Sequence, residues 1–284
     1  MKKSRQQSGF SLIELLVASS FGLVFGSIAI GSLVNSRTSY EYRMTGALVE
    51  DNARMAIEEM TTMIRMAGYV NTLSPGADVP MSTFYTGPCG TFDRCTKDGT
   101  DTGSDQIAFM LNPPPDDGSE TDCVGGALHD DSAIAARSVV AHLFLVTEND
   151  GVSALSCQTF IIKSDGTAIP VNDSPQELVQ GVSNMQILYG KSNMQDSREQ
   201  DTQLSYYASA DTVNATAPPE GSTTPWIDLV AVRIALLVNS GQDDYSQDLE
   251  TRKFKLLDGP EIERTDRKVW QLFSATVMMN NSEL

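Results

Sequence analysis

Residues 2–20 read KKSRQQSGFSLIELLVASS, and the placement of charge in this stretch decides the fold. Lys2, Lys3 and Arg5 make a purely basic leader, and no acid appears before Glu14. From residue 10 to residue 34 the chain is apolar, with Glu14 as its only charge. At about 1.5 Å rise per residue, a helix of that length crosses the ~30 Å hydrocarbon layer. Beyond the span Arg37 and Arg43 are accompanied by Glu41, so the positive bias lies at the N-terminus and orients it to the cytoplasm. Everything after Asn35 is then expected outside the cytoplasm.

A secretory signal fits less well. Such a signal has an apolar stretch of about 7–15 residues and a small-residue cleavage site, which Ala18-Ser19-Ser20 imitates. The apolar run continues well past Ser20, however, and carries a carboxylate inside it. A carboxylate at the centre of a membrane helix costs about 2.5–3.5 kcal/mol, and less near an interface. An acid retained at that cost is either a functional position with a partner or a carboxylate that snorkels to the headgroups, and the cost alone does not choose between them.

Gly9-Phe10-Ser11-Leu12-Ile13-Glu14, behind its basic leader and ahead of an uninterrupted apolar span, resembles the class III signal of type IV prepilins and pseudopilins. The resemblance implies cleavage between Gly9 and Phe10 by a prepilin peptidase and N-methylation of Phe10. Glu14 becomes the fifth residue of the mature chain. Cleavage creates an ammonium at the buried end of a helix, which the Glu14 carboxylate of a neighbouring subunit can pair with. A mispaired charge in lipid is heavily penalised, so the pair sets helix register during assembly.

No strong breaker interrupts residues 35–67. Leu48, Val49, Ala53, Ala56, Ile57, Met60, Met63, Ile64 and Ala67 recur at helical spacing, with Glu50, Asp51, Arg54, Glu58 and Glu59 between them. This stripe predicts the face that docks on a globular domain, and Gly68 follows as a C-cap. Met44, Met55, Met60, Met63 and Met66 read as adaptable core packing. Gly22, Gly26, Gly31 and Gly46 are points where the helix can bend.

After Gly68 the character changes. Residues 71–105 are rich in Gly, Pro, Ser, Thr and Asp and read as loop. Strand-like runs follow at 106–111, 139–147, 155–163, 184–189, 227–238, 253–257 and 268–279, and Glu148-Asn149-Asp150-Gly151 suggests a hairpin between the second and third. The economical arrangement is α+β: a long N-terminal helix, half in the membrane and half docked, packed on an antiparallel sheet. Its parts are a leader at 1–9, a membrane and assembly helix at 10–34, the extracytoplasmic half of the helix at 35–68, and a β-rich domain at 69–284.

The net charge of −17 argues against nucleic acid as the principal partner, since phosphate binding needs clustered Lys and Arg. Asp98-Gly99-Thr100-Asp101 with Asp105 invites a calcium reading but lacks the offsets of an EF-hand loop, so a solvated turn is expected. His129 lies beside acids and His142 within an apolar strand, neither paired with a nucleophile. No phosphate loop, HExxH or Gly-x-Ser-x-Gly occurs, so neither an enzyme, a cofactor nor a metal is expected. Cys89, Cys95, Cys123 and Cys157 all lie beyond the span, where disulfides persist, and their spacing does not suit a zinc site. Three pairings are open.

Arg65-Met66-Ala67-Gly68-Tyr69, Thr121-Asp122-Cys123-Val124-Gly125-Gly126, Leu178-Val179-Gln180-Gly181-Val182-Ser183-Asn184 and Val230-Ala231-Val232-Arg233-Ile234 narrow the resemblance. They are similar to the PilW family of type IV pilus minor pilins over essentially the whole chain. That resemblance implies a type IV pilin fold with a Cys123–Cys157 disulfide and, with it, Cys89–Cys95. It implies a subunit that primes pilus growth and sits at or near the tip. The implied partners are other minor pilins, the major pilin, a PilC/PilY-type tip adhesin, the prepilin peptidase and the inner-membrane assembly platform. The implied location is the inner membrane, single-pass with the C-terminal domain in the periplasm, and then the pilus. Adhesion and twitching motility are the tasks of such fibres. A J-type pseudopilin of a type II secretion system is the alternative, with an exported DNA- or surface-binding module less favoured by the acidic composition.

Overall fold

The computed structural model describes residues 11–69, 83–111, 121–126, 128, 139–163, 165–192, 203–218, 222, 224–243 and 248–280. A helix α1 (Leu12–Met66) opens the chain. The chain divides into two compact units, Met1–Ala47 and Leu48–Leu284. In the first, each large apolar residue from Leu12 to Val34 is half or more exposed, and the most apolar window has a mean hydropathy of 2.0. This is one helix long and apolar enough to cross a membrane.

In the second unit, Val49, Ala53, Ala56, Met60 and Ile64 form the buried stripe of α1, with Ile57 and Met63 packed beside it. Steps of three and four residues keep these positions within one arc. Leu48 lies off that arc and is exposed, contrary to the expectation from its spacing. Met44, Met55 and Met66 are exposed too, so the expected methionine core reduces to Met60 and Met63. The helix ends at Gly68, whose φ of 75° suits a residue without a Cβ and whose N–H donates to Met110 O at 2.8 Å.

Where one antiparallel sheet was expected, the domain builds two and a ribbon. The first contains β1 (Ile107–Leu111), β2 (Val139–Asn149), β3 (Val152–Ile162), β4 (Ala168–Pro170) and β5 (Gln176–Gln180), with both β4 and β5 pairing β3. The second contains β6 (Val182–Ser192), β7 (Leu204–Ala208), β8 (Leu229–Asn239) and β11 (Trp270–Met278), in the order β11-β8-β6-β7. A two-stranded ribbon, β9 (Glu250–Lys255) and β10 (Glu261–Asp266), completes it, with a six-residue helix α2 (Ala210–Ala215) after β7. Among the described residues all the strand pairs are antiparallel.

Gly181 is where the chain leaves one sheet and enters the other. Its φ is 88°, and a Cβ there would meet Asn239 O at 2.4 Å. Its N–H donates to Ser153 O and its carbonyl accepts from Asn239 N, tying both sheets to the bend. The inner faces of the two sheets and the α1 stripe share one core, which includes Phe84, Phe109, Phe144, Tyr189 and Trp226. The outer face of β2 buries Ala141 and Leu143 against Tyr85, Cys89 and Cys95 of the preceding loop. The outer face of β8 buries Ala235 and Leu237 against Leu256 and Ile262 of the ribbon. Strands β2 and β8 are therefore apolar on both faces, which explains their continuous rather than alternating hydrophobic runs.

The hairpin expected at Glu148-Asn149-Asp150-Gly151 joins β2 to β3. Asp150 and Gly151 both take positive φ, 51° and 77°, as a two-residue primed turn requires.

Candidate functional site

Gly9 and Phe10, the residues of the expected cleavage and methylation, lie outside the described residues, as does His129. Glu14 lies in the first turn of α1. Its Oε2 accepts the backbone N–H of Ser11 at 2.9 Å, while the Ser11 hydroxyl oxygen accepts from Ile13 N at 3.4 Å. The Ser11 carbonyl accepts the first helical bond, from Leu15 N at 3.2 Å. Ser11-Leu12-Ile13-Glu14 is thus a capping box, in which serine and acid each satisfy a donor that the helix leaves orphaned.

In lipid this matters more than in water, because an unsatisfied backbone N–H costs several kcal/mol there. The Ser11 N–H belongs to the peptide bond with Phe10, so cutting the chain before Phe10 leaves the box intact. A carboxylate has about four acceptor sites, and the Ser11 N–H takes one. The rest can take a cation from another helix. Ser19, Ser20 and Ser27 donate to carbonyls three residues back at 2.8–3.0 Å, so their hydroxyls are satisfied within the helix.

In the domain, Cys123 pairs with Cys157 and Cys89 with Cys95. The first bond pins the turn around Gly125 to β3. The second closes the loop that covers the outer face of the first sheet. Asn52 Nδ2 donates to Gln180 O at 3.1 Å, joining the docked helix to the end of β5.

The Asp98–Asp105 segment makes the expected exposed turn at residues 100–102, where Gly103 N donates to Thr100 O at 2.8 Å, but the acids at its two ends are engaged by the fold. Asp98 accepts both Ala210 N and Asp211 N, at 2.8 and 3.0 Å, and so caps α2 from a distant part of the chain. Asp105 is buried, and its two oxygens accept from Gly99 N and Ile187 N at 2.8 and 2.7 Å. It stands in for a strand along the edge of β6 that β7 leaves uncovered. Burial pushes its carboxyl up to about 7, against the lowering effect of those two N–H groups. Position alone could not have found this role, since Gly99 is a neighbour in sequence but Ile187 lies 82 residues away.

Lys191 and Asp228 form a buried ion pair at 3.2 Å, and Lys191 Nζ also donates to Pro225 O at 3.0 Å. Burial raises the Asp228 carboxyl while Lys191 pulls it back. The pair fixes the end of β6 to the turn before β8. His142 is buried beside Thr159, its Nδ1 2.9 Å from Thr159 Oγ1, and burial lowers its pKa to about 4.

Residues 143–281 match the model of the PilW family, described as type IV pilus-assembly protein W. The match runs from β2 to just past β11 and so takes in the bend at Gly181, the second sheet and the ribbon. Among curated proteins and among solved structures nothing matches significantly.

Proposed function

We propose, from the match of residues 143–281 to the PilW family of type IV pilus-assembly proteins, that this chain is a minor pilin of that family that helps prime fibre growth and resides at or near the pilus tip. The observation that carries this reading is one chain holding both the matched domain and an exposed apolar helix with a carboxylate in its first turn. The helix has large apolar side chains with no cover of their own, which lipid covers before assembly and neighbouring helices cover after it. Glu14, already holding the N–H of Ser11, offers its remaining acceptors to the N-terminal ammonium of the next subunit.

The role is structural rather than enzymatic. Cleavage before Phe10 by the prepilin peptidase and methylation of Phe10 release the helix for extraction by the inner-membrane assembly platform. The β domain lies in the periplasm at that stage and is large for a shaft repeat, which suits a capping position where few copies are needed. Its contacts are then other minor pilins, the first major pilin subunits and a PilC/PilY-type adhesin.

Deletion of the gene tests the proposal. The expected result is loss of surface pili with protein secretion intact, restored by the wild-type chain. Normal piliation with impaired secretion would instead assign the chain to a type II secretion system as a J-type pseudopilin.

A further inference from the structure

Cys123, Cys157 and His142 come from three separate segments, the 121–126 turn, β3 and β2, and all are buried. One ligand atom from each lies within 4.8 Å of the others, an arrangement found at no other set of three such residues among the described ones. The strand register accounts for it. His142 pairs with Thr159, and Cys157 is two residues before Thr159, so all three share one face of the hairpin.

Thr159 orders the cluster. Its hydroxyl donates to Cys123 Sγ at 3.2 Å, and its oxygen accepts from Cys123 N at 3.0 Å. A hydroxyl has one proton, so toward His142 Nδ1, at 2.9 Å, the same oxygen acts as acceptor. In the Nδ1–H tautomer, which this hydrogen bond favours, Nε2 keeps a free lone pair for a cation. A ring held by its second nitrogen is how proteins orient a metal-binding histidine.

We propose that the reduced chain binds a thiophilic divalent cation of the zinc class at Cys123, Cys157 and His142, and that closing the disulfide abolishes the site. Two thiolates and an imidazole supply three of the four ligands of a tetrahedral zinc centre, with water for the fourth. The chemistry balances in two steps. A dithiol gives two electrons and two protons to the Cys123–Cys157 bond, becoming a disulfide while the chain gains two thiols. The cation then displaces those two thiol protons to solvent.

The test uses the full chain in detergent micelles, reduced with a phosphine and titrated with Co2+ and then Zn2+. One Co2+ per chain is expected to give a thiolate-to-cobalt charge-transfer band that Zn2+ removes, whereas the oxidised chain gives none. Cys123→Ser should abolish the band, His142→Gln should weaken binding at least ~10-fold, and joint replacement of Cys89 and Cys95 by Ser should leave it unchanged. Zn2+ should also raise the Tm of the reduced chain and leave the oxidised one unmoved. If the reduced chain loses its fold, recovery of near-ultraviolet circular dichroism on adding Zn2+ supports the site, and failure to recover overturns it. A reduced, folded chain without the band, or a band that survives in Cys123→Ser, also overturns it.

Discussion

Glu14 caps its own helix by accepting the Ser11 backbone N–H at 2.9 Å. The residue therefore has two separable jobs, satisfying a donor in its own first turn and offering negative charge to a neighbour. Glutamine at this position keeps the first and loses the second. Glu14→Gln should be inserted and cleaved normally yet enter fibres at least ~10-fold less often than wild type, the scale of breaking a buried charge pair. Quantifying the chain in sheared pili checks this. Full incorporation of Glu14→Gln would mean that capping, not charge, is what matters.

Gly181 has positive φ and sits against Asn239 O. Gly181→Ala should cost at least ~2 kcal/mol, combining left-handed strain with a backbone collision. Chemical denaturation of the full chain, followed through Trp226 and Trp270, reads the change. Gly151→Ala serves as the contrast: it shares the positive φ but has open space around its Cβ position, so it should cost less.

Two buried groups titrate in opposition. Folded Asp105 is pushed up to about 7 from 3.8, so between those values the folded chain holds a proton that the unfolded chain has lost, and stability falls as pH rises. Folded His142 is lowered to about 4 from 6.5, so in that window the unfolded chain holds the extra proton and stability falls as pH drops. In the oxidised wild type the two slopes, each about 1.4 kcal/mol per pH unit, should largely cancel between pH 4 and 6.5. Asp105→Asn should leave stability rising with pH across that window, and His142→Gln should leave it falling. Denaturation midpoints at several pH values separate these cases, and parallel profiles for all three proteins would contradict the assignment.

The disulfides constrain loops of different size, with sequence separations of 34 and 6. Loop-closure entropy gives about 4 kcal/mol for Cys123–Cys157 and about 2 kcal/mol for Cys89–Cys95. Paired serine replacements should reproduce that order in thermal or chemical denaturation. The reverse order would point to packing of the 89–95 loop on the first sheet as the larger effect.

Local chemistry was legible in the sequence; non-local chemistry was not. The long helix, its stop at Gly68 and the Asp150-Gly151 turn follow from periodicity and from residues that favour positive φ. Strand β10 was not foreseen, because only Ile262 of its six residues is buried and its outward face is laced by Lys253–Glu261 and Lys253–Glu263. Helix α2 is too short to show a period, and besides its local N-cap Ser209 its first N–H groups are held by Asp98, more than 100 residues away. The division into two sheets was hidden for a related reason. Strands β5 and β6 run on as one segment until Gly181 turns the chain, and both faces of β2 and β8 are covered by elements distant in sequence. At the candidate site, the charge of Glu14 was legible from its setting. The capping box was equally available in Ser11-Leu12-Ile13-Glu14, but the cost of the charge overshadowed it.

The most direct test of the central claim is to locate the chain on the fibre. Surface pili bearing an epitope-tagged version, labelled with gold and counted per fibre, should carry a few copies gathered at one end. Label spread evenly along the shafts, or shafts without any label in a fully piliated strain, would contradict a priming minor pilin.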